Sequence, residues 1–242
     1  MDSILHDMCG RFTLHHSTED VAERFAVEQT LLELKPRFNI APSQPVAAVI
    51  QHESRVLQEL KWGLVPSWAR DPAIGNRLIN ARAETLASKP AFRGAFARGR
   101  CLIPASGYFE WKRVGRTRTP MLVRCDGGEP FVMAGLYERW QTPEEGILHS
   151  CTIITTEPND VAANVHHRMP AILTEGGAQV WMDRELTDLK ALTHVLRPYP
   201  LGDLVVHPVS DKVNRAFDDD PSMIVPVDPQ APEEDPQLDL GL

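Results

Sequence analysis

Cysteine is scarce in this 242-residue chain and follows no pairing pattern. Its four cysteines, Cys9, Cys101, Cys125 and Cys151, are widely spaced and form no CxxC. That argues against a zinc site and against a dithiol redox motif, and reduced thiols are expected at the last three. No apolar run is long enough to span a membrane. The N-terminus, which includes His6 and Asp7, lacks the charged-then-apolar pattern of a secretion signal, so a cytoplasmic protein is expected. Lysine is scarce as well: of 25 basic residues only 6 are Lys, and the other 19 are Arg, the side chain suited to bidentate contact with phosphate. Lys and Arg are missing altogether from residues 218 to 242, which hold 8 of the 33 acids. The remaining 25 acids balance the 25 bases, so the net charge of -8 belongs to one end and the body is neutral.

Apolar residues make up 43% of the chain, enough for a sizeable core in one large domain or two small ones. Ser17-Thr18-Glu19-Asp20 before Val21, Ala22 and Phe25 predicts a capped helix. Pro45–Ile50 and Arg55–Leu60 read as two strands joined by a polar turn. A short helix with proline in its first turn is expected from Lys89. Strand-like runs follow at Arg100–Ile103, Tyr108–Lys112, Met121–Cys125, Phe131–Leu136 and Cys151–Thr155. Glu175–Met182 and Leu186–Leu196 read as helices, and Leu204–Val209 as strand. Many short strands with scattered helices indicate an α+β fold around a curved, barrel-like β core with peripheral helices. The Pro-, Asp- and Glu-rich residues 228–242 read as a disordered acidic tail.

Four polar segments can carry chemistry. In Met8-Cys9-Gly10-Arg11, an N-terminal Cys9 would offer a free amine and a thiol on adjacent carbons, a pair that captures aldehydes. Residues 1–7 are therefore expected to be a mis-assigned or removed extension. In Asn80-Ala81-Arg82-Ala83-Glu84-Thr85, Asn80 can orient an amine or carbonyl, or simply form a turn. In Gly107-Tyr108-Phe109-Glu110-Trp111, strand alternation puts Glu110 with Tyr108, opposite Phe109 and Trp111. Glu110 is then either a solvent-facing side chain or a cleft acid with a raised pKa. In His166-His167-Arg168-Met169-Pro170, after a helix expected over Asn159–Val165, His166 is either half of a surface pair or a general acid or base. Arg168 beside it can hold an anion. Residues 70–118 carry 11 Lys or Arg against three acids, either an idle solvated surface or a phosphate track. Trp68, near Arg70, Arg77 and Arg82, is either a core residue or a stacking platform for an unpaired base.

Together these segments resemble the SOS response-associated peptidase (SRAP) family of abasic-site processing proteins. The resemblance also rests on Phe38-Asn39-Ile40-Ala41-Pro42, Trp62-Gly63-Leu64-Val65-Pro66-Ser67-Trp68, Lys89-Pro90-Ala91-Phe92-Arg93, Arg100-Cys101-Leu102-Ile103-Pro104, Ala134-Gly135-Leu136, Thr152–Glu157, Val209-Ser210 and Val213-Asn214. It spans about residues 8–227 and implies a single domain there. It implies covalent capture of abasic sites in single-stranded DNA through a thiazolidine at Cys9. It also implies self-processing peptidase activity that exposes Cys9, and lyase-type activity. Its catalytic residues fall on Cys9, Asn80, Glu110 and His166, and its DNA-binding residues on Arg11, Asn39, Pro42, Trp68, Arg82 and Arg168. No metal or organic cofactor is implied. A monomer is expected, cytoplasmic and nucleoid-associated if its source is bacterial. Two other readings remain open: a cysteine hydrolase acting on peptides or amides, and a non-catalytic module for single-stranded nucleic acid.

Overall fold

The computed structural model describes residues 9–228. The expected N-terminal extension and nearly all of the expected acidic tail lie outside the described residues. In chain order the strands are β1 (Arg11–Leu14), β2 (Gln29–Thr30), β3 (Arg37–Ile40), β4 (Pro45–Gln51), β5 (Arg55–Trp62), β6 (Asn80–Arg82) and β7 (Arg100–Ala105). They continue with β8 (Gly107–Val114), β9 (Thr117–Cys125), β10 (Phe131–Gln141), β11 (Ile147–Thr156), β12 (Met169–Pro170), β13 (Ile172–Leu173) and β14 (Leu204–Pro208). The α-helices are α1 (Thr18–Arg24), α2 (Arg93–Arg98), α3 (Asp160–Ala163), α4 (Glu175–Met182) and α5 (Leu189–His194).

Five strands close a barrel. β5, β4, β7, β10 and β11 pair in that order, and β11 returns to β5 in parallel, with Ser150 opposite Lys61 and Cys151 opposite Trp62. The closure leaves these barrel strands no free edge. A second sheet, in the order β14-β9-β8-β1-β3, packs beside the barrel. Phe12 of β1 meets Trp62 of β5 edge-on at 5.3 Å between ring centres, and both rings are fully buried. The α+β, barrel-centred architecture is the one expected.

Local chemistry sets the element ends. Ser17 accepts from the Asp20 N–H, and the Asp20 carboxylate accepts from the Ser17 N–H, a reciprocal cap on α1. Helix α4 covers the expected span, capped by Thr174. Three helices differ from expectation: α3 is confined to Asp160–Ala163 because Asn159 and Asn164 are its caps, and α2 and α5 start late. α2 starts at Arg93, because Lys89 and Pro90 are used in a preceding turn whose Lys89 carbonyl accepts from Phe92 and Arg93. α5 starts at Leu189, because Asp188 caps it and Leu186 lends its carbonyl to Arg100. The buried Arg100 guanidinium also bonds the carbonyls of Phe96, Ala97 and Trp181, at the C-terminal ends of α2 and α4, where a cation is favoured.

Gly63 brings the loop ahead of β6 onto the barrel. Its φ is +128°, and a Cβ there would sit 2.7 Å from the Gly75 carbonyl oxygen. The Gly63 N–H bonds the Cys151 carbonyl at 2.8 Å and Leu64 bonds Leu78 at 3.1 Å. β6 then runs parallel to β11, with Asn80 opposite Ile153 and Arg82 opposite Thr155.

Candidate active site

A cleft of about 640 Å³ opens where β1, β8 and the loops after β3 and before β6 meet. Gly10, Arg11, Pro42, Glu110, Trp111 and Arg118 are among its lining residues. Cys9 sits just behind it, 1% exposed. Burial first, and the Glu110 carboxylate second, push the Cys9 thiol well above its usual range; a weak contact with the Arg11 carbonyl at 3.9 Å acts the other way. The side chain therefore rests as a thiol.

Asn80, at the start of β6, donates its amide N–H to the Cys9 carbonyl at 2.8 Å. Its own Oδ1 is buried and accepts no hydrogen bond among the described residues. Such an oxygen is costly to leave unpaired, and it is an acceptor held ready beside Cys9.

Glu110 is 6% exposed, so it is not a solvent-facing glutamate. The alternation of β8 holds: Tyr108 shares its face, while Phe109 packs with Leu122, Val209 and Val213 on the other. Burial pushes the Glu110 carboxyl up to about 8, against the Trp111 N–H and the Arg118 charge, which pull it down. It is thus a carboxylic acid at neutral pH, able to give a proton. Its Oε1 lies 3.9 Å from His166 Nδ1.

His166 is placed by α3. Asn159 caps that helix through the Ala162 N–H, and the His166 N–H bonds the Ala162 carbonyl at 2.9 Å. The Arg168 N–H reaches His166 Nδ1 at 3.2 Å, which fixes the ring's orientation. Cys9, Asn80, Glu110 and His166, scattered over 158 residues, thus converge beside the cleft, which Glu110 alone of the four lines.

The residues expected to meet DNA divide into groups. Arg11 and Pro42 line the cleft. Arg11 also donates to Asn39 Oδ1 at 2.8 Å and to the Val213 carbonyl at 2.5 Å. Asn39 is 1% exposed, and its amide is spent on the carbonyls of Arg215 and Asp218. Arg168 is buried, paired through two nitrogens with Glu84 at 2.7 and 3.0 Å and bonded to the Thr155 carbonyl at 2.7 Å. Arg82 is exposed at the end of β6. Trp68 is 59% exposed and lines a separate groove of about 400 Å³ with Arg70 and Arg77. The structure therefore does not bring Trp68 into the Cys9 cleft.

Two side chains that bear on the site are not singled out by the sequence: Arg118, which lines the cleft, and Glu84, the partner of Arg168. Arg118 lies over the Trp111 ring at 6.0 Å, and Trp111 donates to Asn214 at 2.8 Å. Arg118 lay unremarked within the basic stretch, and Glu84 within the segment of Asn80. Among the described residues no group of three His, Cys, Asp or Glu is arranged to hold a metal, and no helix is long and apolar enough to cross a membrane.

The profile of the SOS response associated peptidase (SRAP) family matches residues 8–216. The chain belongs to that family. It is 43% identical over 221 residues to the abasic site processing protein YoqW of Bacillus subtilis, covering 90% of this chain and 99% of that protein. It is 30% identical over 233 residues to the abasic site processing protein HMCES of Gallus gallus, covering 83% of this chain and 69% of that one. A crystal structure of a protein from Bacteroides thetaiotaomicron superposes with a TM-score of 0.82 at 24% identity, over 90% of this chain and all of that one. At that identity the likeness speaks for the shared SRAP fold alone. The family match extends over the residues just ahead of β1, over β6 and β8, and over the segment after α3, and so takes in Cys9, Asn80, Glu110 and His166.

Proposed function

We propose that this chain captures abasic sites in single-stranded DNA covalently through Cys9, once Cys9 is its first residue. The observation that carries the reading is the hydrogen bond from Asn80 to Cys9 beside a buried acid, Glu110, and its neighbour His166. Relatives named abasic site processing proteins agree with it.

An abasic deoxyribose is mostly a closed hemiacetal in equilibrium with an open aldehyde. His166 moves the proton that opens the ring. The Cys9 amine adds to the aldehyde carbon, and loss of water gives an imine. Glu110, protonated near neutral pH, supplies the proton that the departing water carries off. The carboxylate left behind takes the thiol proton as Cys9 Sγ adds to the imine carbon. That closes a five-membered thiazolidine, and the imine nitrogen ends as N–H. The second bond forms within one residue, with the proximity advantage of an intramolecular step. Asn80 holds the Cys9 main chain, and its unpaired Oδ1 can accept from the amine or the sugar hydroxyl. Arg11, Arg82 and Arg118 offer charge to the flanking phosphates.

The amine must be free, so the Met8–Cys9 peptide bond must be absent. A start at Met8 followed by its removal is the simplest route. The buried, protonated thiol speaks against a resting cysteine hydrolase, whose nucleophile needs a lowered pKa. Intact-mass spectrometry of the Cys9-first chain with an abasic oligonucleotide tests the reading. The expected species is protein plus DNA less one water, absent in Cys9→Ala. Peptide turnover without an adduct would favour the hydrolase instead.

A further inference from the structure

Phe217 is 96% exposed, the most exposed large apolar side chain among the described residues. Single exposed apolar residues are ordinary on protein surfaces. This one differs in how it is mounted. It occupies the tip of a tight turn closed by the Asp218 N–H on the Arg215 carbonyl at 3.2 Å. Amide side chains pin the backbone of that turn from below. Asn39 donates to the Arg215 carbonyl at 2.9 Å and to the Asp218 carbonyl at 2.7 Å, and Gln44 donates to the Ala216 carbonyl at 3.2 Å. Arg11 holds the preceding Val213, and Trp111 holds Asn214. The turn is thus anchored on two cleft-lining residues, Arg11 and Trp111, and Asn214 itself lines the cleft.

From this mounting we infer that Phe217 is a stacking platform for an unpaired nucleobase of the strand that enters the Cys9 cleft. An exposed aromatic on a backbone turn anchored to cleft-lining residues suits a base, because every base offers a π face. The inference rests on single-stranded DNA being the ligand of the cleft. Neighbouring charges fit stacking rather than phosphate contact. Asp219 is paired with Arg37 at 2.8 Å and Asp218 with Arg215 at 3.4 Å, while Asp220 caps the Ser222 N–H. Residues 211–220 hold four acids against Lys212 and Arg215, so the turn is net acidic and the phosphates fall to the cleft-lining Arg11 and Arg118. Asn39, buried and remote from solvent, then serves DNA by holding the turn rather than by touching the strand.

The test is equilibrium binding of the full chain to an intact single-stranded oligonucleotide without an abasic site, by fluorescence anisotropy at several salt concentrations. Cys9 chemistry plays no part in it. Phe217→Ala is expected to weaken binding by at least about fivefold, the low end for one stacked base. The slope of log affinity against log salt stays unchanged, since no phosphate contact is lost. Phe217→Trp retains wild-type affinity and Phe217→Leu does not. Binding of Phe217→Ala within twofold of wild type overturns the platform while leaving the capture reading intact. Equal binding by Phe217→Leu and wild type overturns stacking as its basis. A wild-type chain with no affinity for the oligonucleotide overturns both readings.

Discussion

The Asn80 side-chain amide donates to the Cys9 carbonyl at 2.8 Å, across 71 residues of chain. That bond fixes the main chain of the residue whose amine and thiol are proposed to react. Asn80→Ala removes it and leaves a buried carbonyl unpaired, at a cost of about 1–3 kcal/mol. Adduct formation by the Cys9-first protein is expected to slow by ten- to a hundredfold, because a misplaced nucleophile loses much of its proximity advantage. Stopped time points on a denaturing gel measure it. A rate within twofold of wild type would show that Asn80 does not position Cys9.

Glu110 makes stability depend on pH. Its folded pKa of about 8 lies above the unfolded value of about 4.3. Between those values the folded protein keeps a proton that the unfolded chain releases, so stability falls as pH climbs through this window. Glu110→Gln cannot ionise and avoids that loss. Its melting temperature relative to wild type is expected to rise steadily from pH 5 to pH 8 and to level off above. A difference that stays flat with pH would mean the carboxyl titrates near its ordinary value.

Arg82 and Arg168 are predicted to behave differently toward DNA. Arg82 is exposed, whereas Arg168 is committed to Glu84 and the Thr155 carbonyl. Arg82→Ala is expected to lower the salt slope of single-stranded DNA binding by about 1, and Arg168→Ala to leave it unchanged. Arg168→Ala instead destabilises the fold by about 1–2 kcal/mol, a figure discounted because Glu84 is half exposed. Arg168→Lys does not restore the two-point pairing. Urea denaturation and salt titration separate the two roles, and a flat slope for Arg82→Ala would remove it from the DNA track.

Much of this was legible in the sequence. The capping box of α1, the span of α4 and the alternation of β8 follow from local chemistry, which neighbours in sequence decide. Barrel closure was not legible, because β11 and β5 pair in parallel across some 90 residues and no local pattern encodes that. The grouping of Asn80, Glu110 and His166 around Cys9 was legible only through the family resemblance, since each of the three alone fits a surface or turn role. The resemblance marked Asn39 and Arg168 for DNA contact but could not show their partners. Burial and the carbonyls of the 213–218 segment claim one of them, and Glu84 claims the other. Trp68 was correctly open to exposure, but the loop after Gly63 turns it into its own groove.

The account's central claim is that Cys9 reacts through its amine as well as its thiol. Two chains decide it, one beginning at Cys9 and one retaining residues 1–8, each mixed with an abasic single-stranded oligonucleotide and weighed intact. The chain beginning at Cys9 should give an adduct of protein plus DNA less one water, stable without reductant, while the longer chain, verified by mass to remain uncleaved, gives none. An equally stable adduct through Cys9 in that uncleaved longer chain would contradict the claim, because its nitrogen is held in a peptide bond.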